Sequence, residues 1–267
     1  MGFSGFALSG RVFAGDPRTF PGHREVLAFL DAFAAESGVA GHVRLSAEVV
    51  RVGPLAGHRE RWTVAWRCEG GVVVVEEEVF DAIVVCNGHC TVPLVPKLRG
   101  IGNWKGKQMH SHNYRTPEPF QDQIVVVVGL GASGVDIARE ISSVATEVHI
   151  ASRYTEDRLG KVDCIQDDGQ VRFSEGSAVA ADTILYCTGY RYHFPFLDVE
   201  GVTVDGNRVG PLYKHVFPPK HAPNLSFVGL PVKARRREMY EKALRCIWSL
   251  DDSYRDSWEE EEEEENR

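Results

Sequence analysis

The hydrophobic positions of this chain fall into short runs separated by glycine, proline and polar residues. The most informative run holds four consecutive valines at 125–128, and it predicts a short strand buried on both faces. The residues that follow repeat at helical spacing through Val135, Ala138 and Ile141. Three further strands of this kind are predicted, at 81–86, 146–153 and 182–187. Buried strands that alternate with helical spacing predict an α/β fold with a parallel sheet.

The rest of the pattern predicts one helix and a group of antiparallel strands. Residues 22–37 predict an amphipathic helix, and Gly38 predicts its end. Its apolar stripe consists of Val26, Leu27, Leu30, Phe33 and Ala34. A strand is predicted at 43–52, and two strands of a β-meander are predicted at 62–68 and 72–79, with Glu69-Gly70-Gly71 as the turn between them.

A glycine motif follows the valine run directly. Gly129, Gly131 and Gly134 form G-x-G-x-x-G between the predicted strand and helix. The first glycine allows a tight turn, the second a close approach of a pyrophosphate, and the third close packing of helix on strand. Free N–H groups at the helix start then bind the phosphates. The candidate cofactor-binding residues of the loop are Gly129, Leu130, Gly131, Ala132, Ser133 and Gly134. The alternative is an ordinary glycine-rich turn.

The next predicted strand indicates which dinucleotide binds. In an NAD site this strand usually ends in an acidic residue that holds the ribose 2′-OH. Here it ends in Ser152 and Arg153, a hydroxyl and a guanidinium that suit a 2′-phosphate. NADP is therefore predicted over NAD, with a solvated loop cation as the alternative interpretation of Arg153.

The composition restricts the class of protein but does not indicate a function. The hydrophobic content of 43% is typical of a globular protein, and no apolar run is long enough to span a bilayer. The net charge of −8 lies in the acidic segment 251–267, which predicts a disordered tail, and nothing indicates nucleic-acid binding. The six cysteines form no C-x-x-C pair and no zinc spacing, so no metal site is predicted. Reduced thiols and the absence of a visible signal peptide favour a cytoplasmic location.

Two strand ends resemble each other in sequence. D-A-I-V-V-C-N-G-H at 81–89 is echoed by D-T-I-L-Y-C-T-G-Y at 182–190. Two such turns suit two nucleotide-binding domains of related architecture, so Asn87-Gly88 and Thr188-Gly189 are candidate cofactor contacts where the domains meet. The alternative is a pair of ordinary strand-end turns.

An eleven-residue pattern precedes the glycine loop and carries a family resemblance. Trp104, Gly106, His110 and Tyr114 match F-x-G-x-x-x-H-x-x-x-Y except for tryptophan in place of phenylalanine. With the glycine loop and the T-G-Y strand end, this pattern resembles the flavin-containing monooxygenases, most closely their plant S-oxygenating branch. The resemblance covers residues 15–232.

The resemblance implies a two-dinucleotide architecture in which a Rossmann-like NADP-binding domain is inserted into a partial FAD-binding domain. The predicted domains are 1–98 and 191–250 for the FAD half, 99–190 for the NADP half, and 251–267 for the tail. It further implies NADPH and FAD as cofactors, O2 as co-substrate and a small sulfide or amine as substrate, with no catalytic side chain. Pro93, Pro96 and Gly100 predict a linker into 101–122.

The chain also departs from the family pattern. No glycine loop for FAD precedes the predicted helix at 22–37, and a helical block after residue 233 is missing. A truncated form is therefore expected, in which 99–190 fold and bind NADP(H) while oxygenation is weak or absent. Two alternatives to the monooxygenase are an inactive NADP-binding remnant and a pyridine-nucleotide disulfide reductase. The reductase needs a redox C-x-x-C, which this chain lacks.

Overall fold

The computed structural model describes residues 2–3, 5–8, 10–18, 21–58, 60–68, 75–152 and 160–230. Within them the chain divides into two compact units, one ending at Ala47 and the other beginning at Glu48. The acidic segment 251–267 and Arg153 lie outside the described residues, so the predictions made for them stay predictions.

The first unit contains one long helix and a small hairpin. Its elements are β1 (Gly2–Phe3), β2 (Phe6–Ala7) and α1 (His23–Glu36). The helix predicted at 22–37 is thus confirmed as α1. Gly38 takes a left-handed φ of 73°, which ends the helix as predicted. Rings of the hairpin pack on the helix, with Phe6 5.3 Å from Phe29 between ring centroids.

The predicted apolar stripe of α1 is wrong in part. Leu27 and Leu30 are 59% and 44% exposed, whereas Phe29 and Glu25 are buried. The other stripe positions, Val26, Phe33 and Ala34, are half-buried. The carboxylate of Glu25 accepts backbone N–H bonds from three loop residues, Phe13, Ala14 and Asp16. Burial raises the pKa of Glu25, but these bonds outweigh it and hold the pKa below its usual value. A buried carboxylate that satisfies a loop therefore turns the inward face of the helix away from the leucines.

The second unit is organised around a four-stranded parallel sheet. Its strands are β8 (Lys107–His110), β9 (Ile124–Val128), β10 (Glu147–Ala151) and β14 (Thr183–Tyr186), in the order β10–β9–β14–β8. Three of these strands were predicted, and the α/β fold with a parallel sheet is confirmed. Strand β8 was not predicted; it lies within 101–122, the segment that follows the predicted linker. Its polar sequence K-Q-M-H lacks an apolar run because β8 is an edge strand of this sheet.

Both faces of the parallel sheet are covered. Helix α2 (Ala132–Ile141) packs on one face through Ile137, Ala138 and Ile141. A small antiparallel sheet covers the other face through buried residues such as Val162, Val171 and Phe173. It consists of β11 (Val162–Ile165), β12 (Val171–Phe173) and β13 (Ala178–Val179). Coverage on both sides explains the unbroken valine run of β9.

The two predicted meander strands are confirmed, and they belong to a three-stranded sheet that also includes the strand predicted at 43–52. It contains β3 (Ala47–Pro54), β4 (Trp62–Cys68) and β5 (Val75–Phe80), in that order. Strand β3 begins four residues later than the predicted strand at 43–52. A 3₁₀ turn at Val39–His42 and a left-handed Ser46, with φ of 54°, occupy the intervening chain.

A second, smaller parallel pair lies beside the meander. It consists of β6 (Ile83–Val85) and β18 (Leu225–Phe227). One face packs on the meander through Val52, Trp62 and Phe227, all of which are buried. The other face carries Val84 and Val228, which are 58% and 57% exposed. This pair therefore has one covered face within the described residues.

The remaining strands form a ribbon and a hairpin. The ribbon pairs β7 (Val92–Pro93) with β15 (Tyr190–Arg191), and the hairpin pairs β16 (Thr203–Asp205) with β17 (Arg208–Gly210). Three 3₁₀ turns, Ile101–Asn103, Ser111–Asn113 and Glu118–Phe120, flank β8. In the described part of the chain, no helix combines the length and apolar character needed to cross a membrane.

Candidate dinucleotide-binding site

The turn after β9 requires glycine at its first position. Gly129 has a φ of 113°, and a Cβ there would lie 2.3 Å from the carbonyl oxygen of Cys187. Its N–H donates to the carbonyl of Ala151, at 2.8 Å, which joins the loop to the end of β10. Leu130, which was predicted as a cofactor contact, is buried. The loop is therefore held between β10 and β14.

The start of α2 offers unpaired N–H groups beside open space. Gly131 is the N-cap, it brings no side-chain cap, and a Cβ on it would meet no atom within 4 Å. The first helical bond runs from the N–H of Val135 to Gly131, at 3.1 Å. A helix leaves the N–H groups of its first turn without intrahelical partners, which here are those of Ala132, Ser133 and Gly134. These groups and the helix dipole suit an anion.

Gly134 sets how closely the helix approaches the loop. A Cβ on this residue would lie 2.2 Å from the carbonyl oxygen of Gly129 and 3.5 Å from the Cβ of Cys187. Any larger residue would push α2 away from β9 and β14. Gly129 and Gly134 are thus steric requirements of the fold, whereas Gly131 leaves room for a bound group.

The end of β10 brings Ser152 to the same edge of the sheet. Strand β10 pairs in parallel with β9, from Glu147 opposite Ile124 to Ala151 opposite Val128. Ser152 is buried, and its N–H donates to the carbonyl of Gly160 at 3.2 Å. The predicted preference for NADP depends also on Arg153, so it remains a prediction.

The T-G-Y turn and the family motif meet at this edge. Val128, Tyr186 and His110 lie side by side in register, so β9, β14 and β8 end together. Gly189 has a left-handed φ of 82°, and its carbonyl accepts the N–H of Leu94 at 2.9 Å. The hydroxyl of Thr188 donates to the carbonyl of Leu94. The T-G-Y turn is therefore held by hydrogen bonds to Leu94, in the segment that precedes β8.

His110 uses both ring nitrogens. Its Nε2 lies 3.0 Å from the carbonyl oxygen of Gly189, and its Nδ1 accepts the N–H of His112 at 3.1 Å. The ring is 5% exposed, and burial lowers the pKa of His110 against the opposing effect of the bond to Gly189. His110 therefore links the family motif to the T-G-Y turn through hydrogen bonds.

The other motif residues act in packing and in hydrogen bonding. A Cβ on Gly106 would lie 2.5 Å from the ring of Trp104 and 2.6 Å from the carbonyl oxygen of Asp182. The hydroxyl of Tyr114 donates to a carboxylate oxygen of Glu140 in α2, at 2.7 Å. Burial and this carboxylate raise the pKa of Tyr114 far above its ordinary value. The motif thus holds β8 against β14 and α2.

The second strand-end turn is linked to the first. Gly88 follows β6 with a left-handed φ of 73°, and the Asn87 amide donates to the carbonyl of His193 at 3.3 Å. The segments that follow the two turns pair with each other as the β7–β15 ribbon. The amide of Asn207 also clamps β15, since it accepts from Tyr192 at 2.9 Å and donates to Tyr190 at 2.8 Å.

Sequence reasoning missed several partners of this edge. Cys187 supplies the carbonyl that excludes a side chain at Gly129, and Leu94 supports the T-G-Y turn through its backbone. Glu140 bonds to Tyr114 across 26 residues of sequence. Asn207 bonds to Tyr192 and Tyr190 across 15 and 17 residues. Only the echo between the two strand ends signalled that these segments belong together. Across the described residues, no three His, Cys, Asp or Glu side chains group in a way that could hold a metal ion.

A parallel sheet whose central strand ends in this glycine loop, with an uncapped helix start above it, defines a Rossmann-type dinucleotide-binding protein. The family model described as flavin-binding monooxygenase-like matches residues 6–169 and 160–250. The chain belongs to this family. Flavin-containing monooxygenase FMO GS-OX-like 1 of Arabidopsis thaliana is 48% identical over 261 residues, which cover 94% of this chain and 55% of the relative.

Solved structures agree with this assignment. S-allyl-L-cysteine S-oxygenase from Allium sativum is 47% identical, with a TM-score of 0.80 over 94% of this chain and 59% of that one. Bacillithiol disulfide reductase from Bacillus cereus, at 20% identity and a TM-score of 0.62, shares the fold. The match covers 86% of this chain and 79% of the reductase chain. The chain spans about half the length of the curated relatives it matches.

Proposed function

We propose that this chain binds NADPH at the carboxyl edge of its four-stranded sheet. The supporting observation is the pairing of open space at Gly131 with the N–H groups that α2 leaves unpaired. The pyrophosphate would accept hydrogen bonds from the backbone of Ala132 and Ser133. Ser152, which follows β10, and Arg153, the next residue in the sequence, would receive the 2′-phosphate.

The reaction proposed for the protein is transfer of one oxygen atom from O2 to a soft nucleophile of a small molecule. FAD, when bound, would supply the redox chemistry between NADPH and O2, and the second oxygen atom would leave as water. The name of one similar protein, S-allyl-L-cysteine S-oxygenase, supports a sulfide as the first choice, and an amine is the second. The five described cysteines are free thiols, which supports a cytoplasmic location.

The chain's own residues would bind and orient rather than take part in proton transfer. The glycine loop and α2 would fix the NADPH phosphates, and the turns at Asn87-Gly88 and Thr188-Gly189 would face the space between two dinucleotides. The ribbon that joins these turns would keep their spacing constant. No acid, base or nucleophile is assigned to a side chain.

A second candidate is an NADP-binding protein that does not oxygenate. The exposed face of the β6–β18 pair supports it, because parallel strands are normally covered on both sides. In this candidate the four-stranded sheet folds and binds NADP(H), while the β6 half retains no FAD. FAD retention separates the two candidates.

The decisive experiment combines a flavin spectrum with NADPH titration. The purified protein is incubated with excess FAD, desalted and scanned in the visible range, and NADPH affinity is measured by calorimetry. Gly131→Ala is the matched variant, because its Cβ meets no protein atom and would occupy only the space proposed for phosphate. We expect Gly131→Ala to fold normally and to bind NADPH at least about tenfold more weakly.

Each outcome has a defined meaning. A near-stoichiometric flavin band makes NADPH-driven sulfide oxygenation the next assay and removes the second candidate. A colourless protein that binds NADPH supports the second candidate. A wild-type protein that binds no NADPH, or a Gly131→Ala variant that binds it normally, contradicts the proposed site.

A further inference from the structure

A carboxylate from a hairpin that is remote in sequence lies beside the end of strand β10. It belongs to Glu175, in the turn between β12 and β13. A Cβ on Gly160 would overlap Oε2 of Glu175 and lie 2.5 Å from Oε1, so the carboxylate lies directly against the backbone of Gly160. The carbonyl of Gly160 in turn accepts the N–H of Ser152, at 3.2 Å. A single residue therefore connects the carboxylate of Glu175 to the end of β10.

Hydrogen bonds hold the turn that carries this carboxylate. The hydroxyl of Ser177 donates to Oε1 of Glu175, at 2.8 Å. The N–H of Ser174 donates to the carbonyl of Lys161 at 2.8 Å, and the N–H of Lys161 donates to the hydroxyl of Ser174 at 3.1 Å. The hairpin is thus bound to the segment that leads from Gly160 into β11. The position of Glu175 beside β10 is therefore a property of the fold, although its side chain is exposed to solvent.

The end of β10 is the place where a charge affects the choice of dinucleotide. In a Rossmann unit the adenosine ribose binds at the end of the second strand, which here is β10, paired in parallel with β9. An acid at this position accepts the ribose 2′-OH of NAD, whereas an arginine accommodates the 2′-phosphate of NADP. In sequence β10 is followed by Ser152 and Arg153, without an acid. The fold nevertheless supplies a carboxylate there, from the β12–β13 hairpin.

We propose that Glu175 is a specificity-determining residue, whose negative charge opposes the 2′-phosphate of NADP(H) and so limits the preference for NADP(H) over NAD(H). This inference rests on the proposed function, since it requires a dinucleotide at the glycine loop with its adenosine at the end of β10. The selectivity of the site then depends on the balance between the carboxylate of Glu175 and the cation of Arg153. Binding of NAD(H), which has no 2′-phosphate, is insensitive to that carboxylate.

The proposed effect is electrostatic and needs no direct contact. A phosphate monoester carries between about −1.5 and −2 charges at pH 7, so its repulsion from a carboxylate is larger than that between two single charges. Because Glu175 is exposed, water weakens this repulsion to an effect of a few-fold on Kd. Salt weakens it further, since the screening length falls from about 10 Å at 0.1 M to about 3 Å at 1 M. Dependence on salt therefore distinguishes a charge effect from a change of shape.

The test compares NADP+ with NAD+ on the same protein sample. Calorimetry at pH 8, where the 2′-phosphate is fully ionised, gives the Kd of each ligand at about 50 mM and about 1 M salt. Glu175→Gln removes the charge and keeps an oxygen that can accept the hydroxyl of Ser177. At low salt we expect this variant to bind NADP+ about threefold more tightly than the wild type does, with the Kd of NAD+ unchanged. At high salt the difference should disappear.

Two control variants separate charge from shape and from net charge. Glu175→Asp keeps the negative charge and shortens the side chain, so the ratio of the two Kd values should stay at the wild-type value. Glu77→Gln removes the same charge from β5, an exposed edge strand of the separate three-stranded sheet. It should also leave the ratio unchanged, because it alters only the net charge of the protein. Circular dichroism checks the folding of each variant.

Several results would overturn the inference. An unchanged ratio in Glu175→Gln contradicts it, and so does a shift that persists at high salt or that appears equally in Glu77→Gln. A partly folded variant still gives a valid ratio, because both ligands are measured on the same sample. If NAD+ binds too weakly for calorimetry, the salt dependence of the NADP+ difference decides. Failure of the wild type to bind either dinucleotide contradicts the proposed function instead.

Discussion

The four-stranded sheet and the β6–β18 pair are both parallel and share a sequence pattern, but they differ in how many of their faces are covered. In the aligned runs D-A-I-V-V-C-N-G and D-T-I-L-Y-C-T-G, Val84 of β6 corresponds to Leu185 of β14. Leu185 is fully buried between two layers, whereas Val84 is 58% exposed. Both strands nevertheless end in a left-handed glycine, Gly88 and Gly189. The same local signal therefore specifies the turn, while the neighbouring layers decide whether the strand lies in a core.

The sharpest way to break the enclosed sheet is at its first loop glycine. Gly129→Ala would place a Cβ 2.3 Å from the carbonyl oxygen of Cys187, at a φ of 113°. Backbone strain and overpacking together should destabilise the protein by about 4 kcal/mol. Urea unfolding measures this, with Gly131→Ala as the matched variant. Equal stability of the two variants would contradict the close packing of the loop.

Truncation at the two aligned strand positions tests the comparison directly. Leu185→Ala should cost about 3 kcal/mol, because it removes a fully buried side chain from a core covered on both faces. Val84→Ala should change the free energy of unfolding by less than about 0.5 kcal/mol. Urea unfolding of both variants measures the contrast. A large loss for Val84→Ala would mean that its face is covered in solution.

Removal of a single hydroxyl should have a smaller effect. Tyr114→Phe loses the hydrogen bond to Glu140, and we expect the free energy of unfolding to fall by about 1 kcal/mol. Glu140→Gln keeps an acceptor and should lose less. Thermal unfolding of both variants provides the measurement, and a stability unchanged in Tyr114→Phe would show that the bond contributes nothing in solution.

An effect of similar size is expected at the glycine that ends a strand in each region. Gly88→Ala and Gly189→Ala would each place a side chain in a left-handed conformation without any clash, since neither Cβ would meet an atom within 4 Å. Each should cost about 1 kcal/mol. Hydrogen exchange of β6 and β14 amides would localise the losses. Loss of protection in both strands from a single substitution would indicate that the two turns are coupled through the β7–β15 ribbon, and unchanged protection in both variants would contradict the predicted cost.

Sequence patterns predicted the parts of the fold that depend on local burial and backbone geometry. The valines of β9 predicted the strand correctly because a strand buried on both faces shows no polar alternation. The glycines after it predicted the loop. Strand β8 escaped prediction because Lys107, Gln108 and His110 are polar, as an edge strand allows. The inward face of α1 was predicted wrongly because the carboxylate of Glu25 accepts hydrogen bonds from the loop at Phe13 and Ala14. The helical period of the sequence does not reveal these bonds.

The site was predicted in part for the same reason. The glycine loop and the motif residues could be named from spacing, but their partners are remote in sequence. His110 bonds to Gly189 across 79 residues, and nothing local specifies which carbonyl a histidine will find. The preference for NADP still depends on Arg153, which lies outside the described residues.

The pairing of β6 with β18 has a consequence for how the chain folds. These partners are separated by about 140 residues of sequence, against about 60 for β9 and β14, so their closure carries the larger entropic cost. The four-stranded sheet lies between them along the chain, and once formed it shortens the span left to close. We therefore expect the β6–β18 pair to form last in refolding. During synthesis β6 would emerge early and wait, unpaired with β18, until nearly the whole described chain had left the ribosome.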